Sequence, residues 1–308
     1  MTLPILKLGE LTAPELKQRL TGSGLWLRTG EFVACIHSRF ADIQHSLSLL
    51  YADHPLADNA GFADFHISIE NGSGLRRYIR PQAQFVIDGV KPFQPLPANQ
   101  AFPILEWGMN WCITAYGHHQ LVLHAAAVAR DDRCLILPAP PGSGKSTLCA
   151  ALVNRGWRLL SDELTLIDLR TGAIHPLSRP VSLKNNSIGV IKAFAPDAVF
   201  SRATEDTSKG TVALMKPPRT SVEQMMQTAR PRWIVMPKYV PSSPARLDGM
   251  GSGEAFLSIA DNAMNYHILG TQGFKAAGNL IDECSAHRFE YSNLDEAIAT
   301  FDQLAREA

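Results

Sequence analysis

The chain has 308 residues, enough for one large or two moderate domains, and 45% of them are apolar, enough for a real core. Lys plus Arg and Asp plus Glu each number 29, so the formal charge is zero, which argues against a nucleic-acid binder with its usual basic excess. No apolar run approaches the ~18 residues of a membrane span, and the charged N-terminus has no signal-peptide core.

The five cysteines (Cys35, Cys112, Cys134, Cys149, Cys284) show no paired spacing, and several sit in apolar runs. Free buried thiols in a reducing cytoplasm are expected.

In chain order, Leu25 to Arg28 and Glu31 to His37 read as a hairpin around Thr29-Gly30. Ala41 to Ala52 reads as a helix with Ile43, Leu47 and Leu50 on one face. Phe62 to Glu70 alternates as a strand does. Arg76, Arg77, Tyr78 and Arg80 are expected to begin the next strand, which continues through Gln84 to Ile87. Three prolines between Pro92 and Pro97 mark a linker. The expected organisation is therefore a small α/β unit over 1–96 and a second unit over 97–308, with its core at 120–308. Ala98 to Gly117 reads as a long apolar helix.

Leu121 to Ala129 reads as one strand carrying His124, paired with Cys134 to Leu137 through the turn at 130–133. A histidine in an apolar strand is commonly a satisfied core residue. Here it sits one hairpin from the next motif, which makes a polar role at a phosphate credible.

That motif is the centre of the chain. The buried-looking strand at Cys134 to Leu137 runs into Ala139-Pro140-Pro141-Gly142-Ser143-Gly144-Lys145-Ser146-Thr147, followed by a helical pattern at Leu148, Ala151 and Leu152. Strand, glycine-rich loop, Lys-Ser and helix form the order of a Walker A phosphate loop. Backbone N–H groups approach a triphosphate only where side chains are absent, and Gly142 and Gly144 supply that space. The helix start adds unpaired N–H groups and its positive dipole end. Lys145 would reach the β- and γ-phosphates, and the Ser146 hydroxyl would ligate Mg²⁺. Ala139 replaces the first glycine of the strict motif, a change tolerated at negative φ.

The helix is expected to end at Gly156, and Trp157 to Leu160 to form a second strand. A right-handed crossover leaves the two strands parallel, with their carboxyl ends on one sheet edge. Asp162 and Glu163 then fall beside the loop, where open α/β sheets bind ligands. One carboxylate can hold Mg²⁺ and the other can take a proton from an incoming hydroxyl.

Downstream, Arg179, Lys184 and Lys209 are candidates for a cationic clamp on a transferring phosphoryl group, with plain surface cations as the alternative for each. The polar stretch 201–210 reads as a lid. Trp233 to Met236 reads as a strand, Ala255 to Leu269 and Gly273 to Cys284 as helices, His287 to Tyr291 as a strand, and Leu294 to Ala308 as a closing amphipathic helix.

These residues resemble the HPr kinase/phosphorylase superfamily, and more closely its HPr-related kinase A group. The likeness rests on His124 about twenty residues before the loop lysine, on the Pro-Gly-Ser-Gly-Lys-Ser loop, and on Arg155-Gly156-Trp157-Arg158-Leu159-Leu160-Ser161-Asp162-Glu163. Tyr51-Ala52-Asp53-His54-Pro55, Leu105-Glu106-Trp107-Gly108 and Asn265-Tyr266-His267 extend it.

The resemblance implies a P-loop, HPr-kinase/PEP-carboxykinase-like mixed α/β sheet with flanking helices, beside the smaller N-terminal unit. It also implies ATP and Mg²⁺ as cofactors, Asp162 as general base, Glu163 with Ser146 as metal ligands, and His124 near the transferred phosphate. Thr147 departs from the family's glutamate, and the family's segment linked to dephosphorylation is not recognisable. The implied activity is thus a kinase acting on a Ser/Thr-type hydroxyl of a peptide, protein or small molecule. Relatives sit beside peptide-chaperone-like proteins, which points to such a partner, and they assemble as homo-oligomers. The alternative is a nucleotide-binding switch or scaffold without phosphotransfer.

Overall fold

The computed structural model describes residues 6–57, 61–74, 78–140 and 142–307. The N-terminal part runs α1 (Ala13–Thr21), β1 (Leu25–Thr29), β2 (Phe32–Ser38), α2 (Ala41–Leu50), β3 (Phe65–Asn71), β4 (Gln82–Ile87), β5 (Leu96–Pro97) and α3 (Ala101–Tyr116). The five strands form one sheet in sequence order. Thr12 caps α1 in a capping box with Glu15, and Pro14 occupies the first turn, where its missing N–H costs nothing. Leu16, Leu20, Ile43, Leu47, Phe102, Leu105, Met109 and Ile113 cover the sheet from these three helices.

Two expectations change here. Tyr78 to Arg80 form a turn before β4 instead of its start, and Arg76 and Arg77 lie outside the described residues. The proline-rich segment 92–97 ends in β5, which pairs with β4 at Gln82 and Ala83, so part of it belongs to the sheet. The packing is continuous across 96/97: α3 shares the first core, which extends into Val122, Leu164, Leu166, Leu177, Val212 and Leu214.

The rest of the chain runs β6 (Gln120–Leu123), β7 (Ala125–Arg130), β8 (Arg133–Pro138), α4 (Lys145–Val153), β9 (Arg158–Ser161), β10 (Thr165–Asp168), β11 (Ile174–His175), β12 (Val181–Lys184), α5 (Asn186–Phe194), β13 (Thr204–Thr207), β14 (Gly210–Met215), α6 (Arg219–Glu223), β15 (Arg230–Tyr239), β16 (Arg246–Gly249), α7 (Ser252–Asn262), α8 (Tyr266–Leu269), α9 (Thr271–Glu283), β17 (Ser285–Tyr291) and α10 (Leu294–Glu307). The main sheet is mixed and six-stranded, in the order β16-β17-β15-β8-β7-β9. It is covered on both faces. Leu135, Leu137 and Val128 pack with α4 and α10, while Ile136, Cys134 and Ala127 pack with α7 and α9. That explains why β8 reads as an unbroken apolar run. Two small sheets, β11-β10-β6 and β12-β14-β13, complete the described strands.

The single strand expected over 121–129 is broken at His124. β6 joins β10 in one sheet and β7 joins β8 and β9 in another. The break is held from afar: the His124 N–H donates to Asn262 O at 2.8 Å, and the Asn265 amide bonds Val122 N and Gln120 O. The same contacts split the expected helix 255–269 into α7 and α8. The stretch read as a lid is the β13–β14 hairpin, with the Gln100 amide donating to Asp206 O at 3.0 Å. All five cysteines are free thiols. Among the described residues no helix is long and apolar enough to cross a membrane.

Candidate functional site

β8 and β9 both run antiparallel to β7, which lies between them, so they are parallel to each other and end at one edge. The loop after β8 and the acid pair after β9 therefore meet, as the crossover argument requires.

The loop geometry follows from its glycines. Gly142 and Gly144 have φ of +86° and +93°, the left-handed region open to glycine at no cost. At Gly144 a side chain is also excluded by space, since a Cβ would stand 2.5 Å from Tyr291 Oη. That hydroxyl donates to Gly144 O at 3.1 Å, which pins the loop. Ala139 is buried and lies outside the left-handed region, consistent with alanine at that position. Pro140 precedes Pro141, and Pro141 lies outside the described residues. Gly144 is also the N-cap of α4, whose first three residues are Lys145, Ser146 and Thr147.

Three polar atoms at this edge are buried without a partner among the described residues: Ser143 Oγ, Lys145 Nζ and Asp162 Oδ1. Lys145 is only 8% exposed and Asp162 4%. Buried polar groups left unpaired are rare, and a bound water, ion or ligand is the ordinary way such groups are satisfied. The other Asp162 oxygen, Oδ2, accepts the Ser182 N–H at 2.9 Å.

The charges act on one another. Burial, then the Glu163 charge, pushes the Asp162 carboxyl up to about 6, while Lys145 and the Ser146 hydroxyl pull it back. Burial also lowers the Lys145 ammonium, against the opposing pull of Asp162 and Glu163. Burial raises Glu163, but Lys209, Lys184 and Lys145 together outweigh it and leave the carboxyl below its ordinary value. The two neighbouring acids are thus driven apart, one toward a proton acceptor near neutral pH and one held ionised. His124, at the β6–β7 break, is lowered to about 4 by burial and then by Lys145, so it is neutral at pH 7.

Lys184 Nζ stands 3.9 Å from Glu163 Oε1, and Lys209 Nζ lies over the Trp107 ring, 5.0 Å from its centroid. Lys184 thus stands beside Glu163, and the Lys209 charge reaches the same carboxyl. Arg179 is placed differently. It is buried and fully engaged: Nη2 bonds Glu106 Oε2 at 2.6 Å, Nε bonds Tyr51 Oη at 3.2 Å and Nη1 bonds Asn110 Oδ1 at 2.6 Å. Its charge is paired with the buried Glu106, and it also helps to lower the Glu163 carboxyl.

Residue-type reasoning passed over Asn110, whose Nδ2 donates to Glu163 Oε2 at 2.5 Å, and Ser182, whose N–H holds Asp162. Tyr51, Glu106 and Trp107 carried a signal, because they fall inside two of the short segments noted above. Among the described residues no cluster of three or more His, Cys, Asp or Glu side chains could hold a metal alone. The donor set still fits Mg²⁺, which binds through one or two carboxylates and draws its other ligands from phosphate and water. Asp162, Glu163 and Ser146 would hold it.

No family model matches the chain, and no curated protein matches it. A solved structure of the Hpr(Ser) kinase/phosphatase from Coxiella burnetii is similar over 61% of this chain and 99% of its own, at 13% identity and a TM-score of 0.27. A likeness of that size carries no argument about reaction or substrate.

Proposed function

We propose that the chain is an ATP-dependent kinase that transfers the γ-phosphate to a Ser/Thr-type hydroxyl of a peptide, protein or small molecule. The observation that carries this reading is a pair of orphaned groups, Lys145 Nζ and Asp162 Oδ1, buried at one sheet edge beside a glycine loop and close enough for each charge to act on the other. A buried ammonium without a hydrogen-bond acceptor and a carboxylate oxygen without a donor are groups that an incoming phosphate and an incoming hydroxyl would satisfy.

In this reading the loop N–H groups and Lys145 bind the phosphates, and Lys184 and Lys209 neutralise charge on the transferring group. The acceptor oxygen attacks phosphorus and its proton passes to Asp162. The bond from phosphorus to the β–γ bridging oxygen breaks, and ADP leaves with that electron pair. Mg²⁺ held by Glu163 and its neighbours would supply further charge neutralisation. Neutral His124 adds a polar group without adding charge.

The test is a transfer assay with γ-labelled ATP against peptides, proteins and small hydroxyl compounds. Lys145→Ala should abolish turnover. Asp162→Asn should keep nucleotide binding and lose transfer by roughly 10²–10⁴-fold. Transfer at the normal rate by the Asn variant would remove Asp162 from the role of base.

A further inference from the structure

Two tyrosines close the phosphate loop on the side away from Asp162. β15 and β17 run parallel to β8 and lie across it from β7 and β9. Their final residues are Tyr239 and Tyr291, so both rings stand at the same carboxyl edge as the loop. Tyr291 is buried and spends its hydroxyl on Gly144 O.

Tyr239 is placed differently. Its backbone N–H donates to Ser143 O at 3.0 Å, which ties the end of β15 to the loop. Its Cβ lies 3.3 Å from where a Gly144 Cβ would be. Its ring meets that of Tyr291 edge-on, with centroids 5.9 Å apart and planes at 79°. Yet Tyr239 is 51% exposed. A flat ring is thus anchored through its backbone to the loop and half presented to solvent.

In-line phosphoryl transfer sets the direction in which the leaving group points. The attacking oxygen and the leaving diphosphate sit on opposite sides of the transferring phosphorus. With the acceptor at Asp162, the rest of the nucleotide extends across the loop toward β15. The orphaned Lys145 Nζ and Ser143 Oγ mark the phosphate position between the two ends.

We propose that the exposed face of Tyr239 is the platform on which the nucleobase stacks. The proposal rests on the nucleotide-binding reading above and adds the base site to it. Stacking uses the π-face that every base has, and losing one such ring costs roughly tenfold to a hundredfold in affinity where aromatic side chains stack single-stranded bases. Recognition through this ring alone selects for a base over no base, and adenine and guanine nucleotides bind with comparable affinity.

The test is calorimetric titration of the full chain with two probes, the magnesium complexes of a non-hydrolysable ATP analogue and of inorganic tripolyphosphate. Wild type should bind the nucleotide more tightly. Tyr239→Ala should lose roughly tenfold to a hundredfold in nucleotide affinity, following the stacking range above, and leave tripolyphosphate binding unchanged. Tyr239→Phe should match wild type for both. A variant-free check is a nuclear Overhauser contact between base protons and the Tyr239 ring in the wild-type complex. Equal affinity of wild type for both probes, or an Ala variant with undiminished nucleotide affinity, overturns the base platform and leaves the phosphate site standing. Binding of neither probe by wild type overturns the nucleotide reading, and the platform with it.

Discussion

Asn110 and Glu163, 53 positions apart in the sequence, are joined by a 2.5 Å hydrogen bond in which the amide Nδ2 donates to carboxylate Oε2. The other end of the same amide accepts from Arg179 Nη1 at 2.6 Å, so its orientation is fixed by a cation on one side and an anion on the other. A helix that packs on the N-terminal sheet thereby holds an acid of the candidate site.

Asn110→Leu removes that donor while keeping side-chain bulk. Partners that orient metal-binding carboxylates typically matter by 10–100-fold, so Mg²⁺ affinity in the presence of nucleotide should fall by about tenfold or more. The Mg²⁺ dependence of transfer reads this directly. An unchanged dependence in the folded variant would detach Asn110 from the site.

Arg179 and Glu106 test a different quantity. Both are nearly buried and paired at 2.6 Å. Arg179→Met leaves the Glu106 carboxylate without its counter-ion and should cost about 3–5 kcal/mol. Arg179→Met combined with Glu106→Leu removes both charges and should recover much of that loss. Urea denaturation of the single and double variants measures the difference. A single variant as stable as wild type would show that the pair balances no charge.

Gly144 and Gly142 differ in a way that substitution can expose. At Gly144 alanine meets both a left-handed φ and the Tyr291 hydroxyl, whereas at Gly142 no atom of the described residues beyond its chain neighbours lies within 4 Å of the added carbon. Gly142→Ala should cost only the backbone strain, about 1–2 kcal/mol. Gly144→Ala should cost more and should also weaken nucleotide binding, because Tyr291 must move off the loop. Thermal denaturation and nucleotide titration of the two variants compare them; equal losses in both would show that the Tyr291 contact adds nothing.

The meeting of the glycine loop after β8 with the acid pair after β9 was legible in the sequence because each is a contiguous string, and one handedness rule brings the strings together. The partner of Arg179 was not. Glu106 lies 73 positions away and Tyr51 lies 128 away, and no local pattern says which of several cations is already neutralised. The break at His124 was hidden for a related reason. β6 and β7 are both buried, so the apolar run is continuous, and the residues that split it, Asn262 and Asn265, come from the far end of the chain. The β13–β14 hairpin read as a lid because Glu205 and Asp206 are exposed on an edge strand, where polar residues are normal.

One ion pair joins the N-terminal hairpin to the small sheet. Glu31, at the β1–β2 turn, bonds His175 Nδ1 at 3.2 Å and His119 Nε2 at 3.1 Å. His119 is largely exposed, so His175 is the partner that matters. The hydrogen bond that His175 donates to Glu31 raises the imidazole above its ordinary 6.5, with the charges of Glu31 and Asp168 adding to it against burial. The same bond lowers Glu31 below its ordinary 4.5. A raised histidine contributes stability that is complete below pH 6.5 and is lost as pH rises through the folded-state value. A lowered carboxylate contributes stability that is present above pH 4.5 and is lost as pH falls through its own folded-state value. Both conditions hold together only between these limits. The gap in melting temperature between wild type and Glu31→Gln should therefore be widest between pH 4.5 and 6.5 and should narrow on either side. A gap that is flat from acid to alkaline pH would mean that the joint holds by packing and that the ion pair contributes nothing.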